Sequence, residues 1–177
     1  MRAIVEERMH EHFGLLYDRY VEKVYHKCIS FVKEETLAQD LAHDIFLKTF
    51  MNLAKFNHKS KFSTWLYSLT YNFCIDFVRK NNKVKYQSEE GLEEIPDSED
   101  EKNERDLMNM EAKRLAVALD QINPDEKAIL LMKYQDEMSI VDLSEALQIS
   151  ESAVKMRIKR SRAKVVEKYN KIFSNER

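Results

Sequence analysis

Lys155, Lys159 and Arg162 recur at helical spacing near the C-terminus, with Met156 and Arg160 beside them. Lys and Arg so placed can donate to guanine O6 and N7 in a major groove. Lys155–Lys171 as a whole sets eight basic residues against the single acid Glu167. A polyanion partner and a merely solvated basic face are both compatible with that charge. Upstream, between Lys55 and Arg79, the aromatics Phe56, Phe62, Trp65, Tyr67, Tyr71, Phe73 and Phe77 interleave with Lys55, Lys59, Lys61 and Arg79. Rings that stack on unpaired bases beside cations for the backbone make a single-strand site. Trp65, Leu66, Leu69 and Phe73 also have the spacing of a helix core, and that reading is adopted for most of them. Asn72, Asp76 and Arg79 form the opposing polar face, where the Asn72 amide could read a base edge.

A pair of carboxylates, Asp40 and Asp44, lies one helical turn apart with His43 adjacent and Lys48 a turn further on. Such a pair could serve acid–base or metal chemistry, but no third ligand is in register and no glycine loop adjoins it. A solvated or partner-binding face is therefore the preferred reading. His10 and His12 are two residues apart and diverge on a helix. With no nucleophile elbow, P-loop or zinc-hydrolase motif, the chain is read as no enzyme, with no cofactor and no metal.

These residues need helices to position them. Among 177 residues there are two Gly and two Pro, against 44% hydrophobic and 34% charged. Many-stranded β folds need turn residues that this chain lacks, so an all-α fold is expected. Net charge is +2 over residues 1–80, −6 over 81–110 and +2 over 111–177. Apolar stripes through Phe13, Leu16, Tyr17, Tyr20, Val24 and Cys28, then Leu37, Leu41, Ile45, Phe46, Thr49 and Phe50, then Trp65 to Phe77, predict three or four helices in one bundle over 1–80. Periodicity fails over 81–106, which reads as an acidic, flexible linker. It resumes near Leu107. Asn123-Pro124-Asp125-Glu126, Ser139-Ile140-Val141-Asp142 and Ser150 announce three helix starts. The resulting helices of about 12, 8 and 20 residues within 107–177 have the order of a helix-turn-helix, Val154, Ile158, Ser161 and Val165 packing on Leu143 and Leu147. Cys28 and Cys74 sit in apolar runs and read as buried free thiols in a reducing compartment. No signal peptide or membrane span is supported, and a cytoplasmic protein is expected.

Ala38-Gln39-Asp40-Leu41-Ala42-His43-Asp44-Ile45-Phe46, then Phe62-Ser63-Thr64-Trp65-Leu66 and Asn72, an acidic linker, and Ile149-Ser150-Glu151-Ser152-Ala153-Val154-Lys155 occur in one order. In that order the chain resembles the bacterial sigma-70-family initiation factors, in their small two-domain extracytoplasmic-function branch. The resemblance implies a region 2 bundle over 1–80 that binds core RNA polymerase and opens the minus-ten element. It implies a region 4 helix-turn-helix over 107–177 that binds the minus-35 element, so that core RNA polymerase and promoter DNA are the partners, with an anti-sigma factor of unknown identity. Carried over by position, Asp40, His43, Asp44 and Lys48 are expected at the polymerase. Lys61, Phe62, Ser63, Trp65, Asn72, Asp76 and Arg79 are expected at the minus-ten strand, and Ser150, Ser152, Lys155, Met156, Lys159, Arg160 and Arg162 at the minus-35 element. The rival from another class is an ordinary helix-turn-helix regulator whose bundle senses a ligand or dimerises.

Overall fold

A computed structural model describes residues 2–53, 56, 59–85 and 104–173, and every regular element among them is helical. Most of the expected linker lies outside the described residues, as do the side chains of His10 and His12.

The N-terminal half is a three-helix bundle of α1 (Arg2–Val32), α2 (Glu35–Asn52) and α3 (Phe62–Lys85). α1 begins well before Phe13, where the apolar stripe starts, and α3 runs five residues past the expected boundary at 80. Lys33 ends α1 in the left-handed region, φ 62°, its N–H donating to the Ile29 carbonyl at 3.0 Å. Glu34 then caps α2 by accepting from the Leu37 N–H at 3.3 Å, so two residues reverse the chain. The α1 and α2 stripes meet as expected: Val24, Cys28, Ala38, Leu41, Ala42, Ile45 and Phe46 are buried with Leu66 and Cys74 of α3. Each fully buried aliphatic side chain there contributes about 1.5–3 kcal/mol relative to exposure. Thr49, Ser68 and Thr70, buried in the same bundle, donate to carbonyls one turn back at 2.7, 2.7 and 2.9 Å. Their hydroxyls are thereby satisfied without any partner across the core.

The C-terminal half comprises α4 (Glu104–Asp120), α5 (Pro124–Leu130) continuing into a π-helical turn (Leu131–Gln135), α6 (Ile140–Leu147) and α7 (Glu151–Phe173). Ser139 and Asp142 close a full capping box: the Asp142 N–H donates to the Ser139 hydroxyl at 3.0 Å and the Ser139 N–H to the Asp142 carboxylate at 3.1 Å. Gln148, φ 52° and ψ 43°, supplies the left-handed residue between α6 and α7, and Ser144 ties the turn by donating to the Ile149 carbonyl at 2.5 Å. Val154, Ile158, Ser161 and Val165 are buried on one face of α7, where the sequence pattern puts them, in one core with Leu143.

The two halves are not separate. Tyr71 and Ile75 of α3 belong to the core that Ile129, Leu130, Met132, Met138 and Leu143 form in the C-terminal half. Helix α3 thus serves both halves: Leu66 and Cys74 face α1 and α2, while Tyr71 and Ile75 face α5 and α6.

Candidate functional site

Helix α7 presents the basic surface. The Ser150 hydroxyl accepts from the Ala153 N–H at 3.3 Å and lies 3.0 Å from the Ser152 hydroxyl, fixing the first turn. From that turn Lys155, Met156, Lys159, Arg160 and Arg162 all emerge exposed, opposite the buried stripe. Nearly half of the Met156 surface, 48%, remains in water, an apolar spot among cations. Lys164, further along, is ion-paired with Glu126 of α5. Lys164 is thus turned towards α5, and the exposed cations named above lie in the N-terminal half of the helix.

Helix α2 carries the acidic face. Asp40 and Asp44 are exposed, and Leu47 and Met51 continue the same stripe at i+7 and i+11, 64% and 80% exposed. Sequence reading missed these two, because a lone apolar residue on a helix does not reveal whether it faces core or solvent. His43 is held by the Tyr17 hydroxyl, 3.1 Å from its Nε2, with the two rings stacked. Lys48 lies over the Phe73 ring at 5.2 Å. His43 and Lys48 are thus anchored sideways onto α1 and α3, leaving the carboxylates as the free polar groups of the face.

At the start of α3, Phe62 and Trp65 form a three-ring cluster with Phe56, centroids 5.5–5.7 Å apart, and Phe62 also meets Tyr20. All three rings are half-buried, beside exposed Lys61 and half-buried Ser63. Such a cluster is anchored on one side and offers ring surface on the other. Leu66 is fully buried, in line with the core reading. Asn72 and Asp76 are exposed about two and three turns beyond Trp65. Arg79 differs: its Nη2 donates to both oxygens of Asp125 of α5 at 2.6 and 2.7 Å.

That ion pair borders an open pocket of about 350 Å³ between the halves, lined by Arg79, Asp125, Glu126, Ile129, Arg157, Arg160 and Ser161. Deeper in the seam Lys27 of α1 pairs with Asp136, whose other oxygen accepts from the Tyr71 hydroxyl at 2.8 Å. Burial, and after it the Asp136 carboxylate, pushes the Tyr71 phenol well above its ordinary 10.0. Lys127 donates to the Ser30 carbonyl and to Asp120 at 2.6 Å; burial pulls its ammonium below the usual lysine value, and Asp120 opposes that shift. Cys28 and Cys74 face each other across α1 and α3, sulfurs 3.8 Å apart, both buried and free. Nothing in the spacing of these residues along the chain forecasts any of these meetings.

The Sigma-70 region 2 family matches residues 16–84 and the Sigma-70 region 4 family residues 112–165, one in each half. The ECF RNA polymerase sigma factor SigW of Bacillus subtilis is 30% identical over 162 residues, covering 85% of this chain and 84% of the relative. The chain belongs to the ECF family of RNA polymerase sigma factors. SigX of the same organism, also an ECF sigma factor, is 26% identical over 172 residues, covering 95% and 88% of the two chains. Among solved structures, RpoE of Bartonella quintana, in complex with the anti-sigma factor NepR, matches 89% of this sigma factor and 96% of its own chain (TM-score 0.64, 17% identity). CnrH, in complex with the cytosolic domain of CnrY, matches 89% and 87% (TM-score 0.59, 22% identity). Both have the same fold. The sigma factor therefore acts in transcription initiation as a promoter-specificity subunit of RNA polymerase, with region 2 in the N-terminal half and region 4 in the C-terminal half. No helix among the described residues is long and apolar enough to cross a membrane.

Proposed function

We propose that the three exposed surfaces divide the work of initiation among them. The acidic stripe of α2, Asp40 and Asp44 extended by Leu47 and Met51, docks on core RNA polymerase, with His43 and Lys48 shaping its flanks. The ring cluster and polar face of α3 hold the melted minus-ten strand: Phe62 and Trp65 offer stacking surface, Lys61, Ser63 and Arg79 meet the backbone, and Asn72 with Asp76 faces an extruded base. Capturing that base offsets an unstacking cost of a few kcal/mol, which is how a binding protein with no catalytic centre opens a duplex. The first turns of α7, with Ser150, Ser152, Lys155, Met156, Lys159, Arg160 and Arg162, read the minus-35 element. Residues 1–80 and 107–177 are the working domains and 81–106 joins them.

The observation that carries this reading is the separation on α7 between a buried, mainly apolar stripe and an exposed cationic one that starts at a capped turn. It is the geometry by which a recognition helix enters a major groove. The sigma factor works in the cytoplasm with its polymerase. An anti-sigma protein is a further partner, a proposal supported by the fold shared with two sigma factors solved in such complexes. Run-off transcription with reconstituted holoenzyme on genomic fragments tests the assignment. Promoter-selective transcripts are expected with this chain and none with core alone, and transcripts that ignore promoter sequence would defeat it.

A further inference from the structure

The whole chain holds two cysteines, and the fold brings both to one point. Cys28 of α1 and Cys74 of α3 are 46 positions apart, yet the Cys74 thiol donates to the Cys28 sulfur at 3.8 Å. Both are fully buried, in one core cluster with Val24, Ala42, Ile45 and Leu66. Neither belongs to the surfaces assigned above to polymerase or DNA. As core residues they are merely small and apolar; as a contacting pair they have a chemistry that neither has alone. A structural zinc takes four ligands. Among the described residues no three His, Cys, Asp or Glu side chains stand together to hold a metal, so the two thiols have only each other to react with. A disulfide needs about 2.0 Å between its sulfurs. Rotation about the two Cα–Cβ bonds and a small slide of α1 on α3 must therefore close the present gap of 3.8 Å.

We propose that Cys28 and Cys74 form an oxidation site, which a hydroperoxide converts into an intramolecular disulfide that staples α1 to α3 in region 2. With hydrogen peroxide, one thiolate attacks an oxygen, the O–O bond breaks, and hydroxide leaves a sulfenic acid behind. The second thiolate attacks that sulfur, the S–S bond forms and the S–O bond breaks, again releasing hydroxide. Each hydroxide takes up the proton its thiol gave, so one peroxide is reduced to two waters as two thiols are oxidised. The folded core restrains the first step. The bond to Cys28 and burial both push the Cys74 thiol above its usual range, so the closed pair holds little thiolate. Local opening of the bundle exposes a sulfur with its ordinary acidity, and reclosure sets the second thiol against the sulfenic acid. The new bond spans 46 positions and encloses α2, which restricts the unfolded chain far more than the folded one. Peroxide thereby turns a bundle that opens into one that stays folded longer.

The test uses the intact chain, reduced and then treated with hydrogen peroxide in native buffer. Remaining thiols are alkylated and the peptides mapped by mass spectrometry. A linked Cys28–Cys74 peptide is expected, formed faster in a little urea and released by dithiothreitol. Oxidation should raise the melting midpoint by roughly 5–15 °C and slow thermolysin cleavage within α1–α3 at least about tenfold. Cys28→Ala and Cys74→Ala, each keeping a small apolar side chain in the core, should show neither change on peroxide treatment. If these variants lose helix content, the oxidised wild type with and without dithiothreitol decides instead, since that comparison needs no substitution. Thiols that stay reduced in peroxide, or that go on to sulfinic acid, overturn the proposal. So does a disulfide that forms only in the fully unfolded chain, or one that lowers the melting midpoint.

Discussion

Asp40 and Asp44, the proposed docking carboxylates, contribute little to the fold. Both are exposed on α2 while Leu41, Ala42, Ile45 and Phe46 on the other face hold the bundle. Reversing both charges is expected to abolish core polymerase binding in a pull-down while shifting stability by no more than about 0.5 kcal/mol per site. Asn72 should behave differently, because its proposed partner exists only after melting. Asn72→Ala should form holoenzyme normally yet open promoters slowly, and a premelted bubble template should restore most of the rate. An equal defect on both templates would return Asn72 to a structural role. Tyr71 makes the seam sensitive to alkali. Its folded-state pKa is raised above 10.0, so the stability it contributes is complete below pH 10 and is lost as pH rises above that value and the unfolded phenol ionises more readily than the folded one. Lys127, its ammonium pulled below 10.5, has the opposite sign: its burial penalty is relieved as pH rises towards 10.5. Urea melts of the wild type and of Tyr71→Phe between pH 9 and 11 separate the two, since the variant should lose the fall above pH 10 and keep the rise below it.

At the scale of the element, α7 joins a core stripe and an exposed cationic face in one helix. The cap at Ser150 sets where the helix begins and therefore which residues occupy its first turns. A base contact discriminates by about 1–3 kcal/mol, whereas a phosphate contact weakens all sequences alike. Lys155→Ala or Arg160→Ala should therefore narrow the gap between a cognate and a scrambled minus-35 element in matched transcription assays. Lys168→Ala, several turns along, should leave that gap unchanged and at most flatten the salt dependence. Helix α6 depends on its own start, since eight residues cannot sustain a helix alone. Removing the Ser139 hydroxyl with Ser139→Ala is expected to cost about 1 kcal/mol, measured as a lower urea midpoint with unchanged slope.

For the whole molecule, net charge is the governing quantity. Both halves are near neutral, +2 over 1–80 and +2 over 111–177, so neither has the long-range attraction that holds a strongly basic protein on DNA. The free chain is expected to bind a minus-35 duplex no more tightly than roughly 10⁻⁶–10⁻⁴ M at physiological salt. Binding should tighten sharply once core polymerase tethers both domains to one DNA. A fluorescence titration of labelled duplex with and without core measures this. The buried seam pair acts at the same scale, since removing one partner of such a pair costs about 3–5 kcal/mol and replacing both can be neutral.

Local physics already decides much of this protein in the sequence. The shortage of Gly and Pro argues against many-stranded sheets, the 3.6-residue stripes on α1, α2 and α7 choose their buried faces, and Ser139-x-x-Asp142 and Ser150 start helices through bonds that reach only three residues. Order of motifs, which is also a property of the chain, was enough to resemble the right family. The seam could not be read that way. Lys27 and Asp136 are 109 positions apart, Arg79 and Asp125 46 apart, and no periodicity relates them. Leu47 and Met51 were equally silent, since an apolar side chain on a helix is core or contact surface according to what stands opposite it. Tertiary structure decided these cases because burial, desolvation and ion pairing depend on which faces meet, and the meeting of two helical halves is a long-range choice that no local bond dictates.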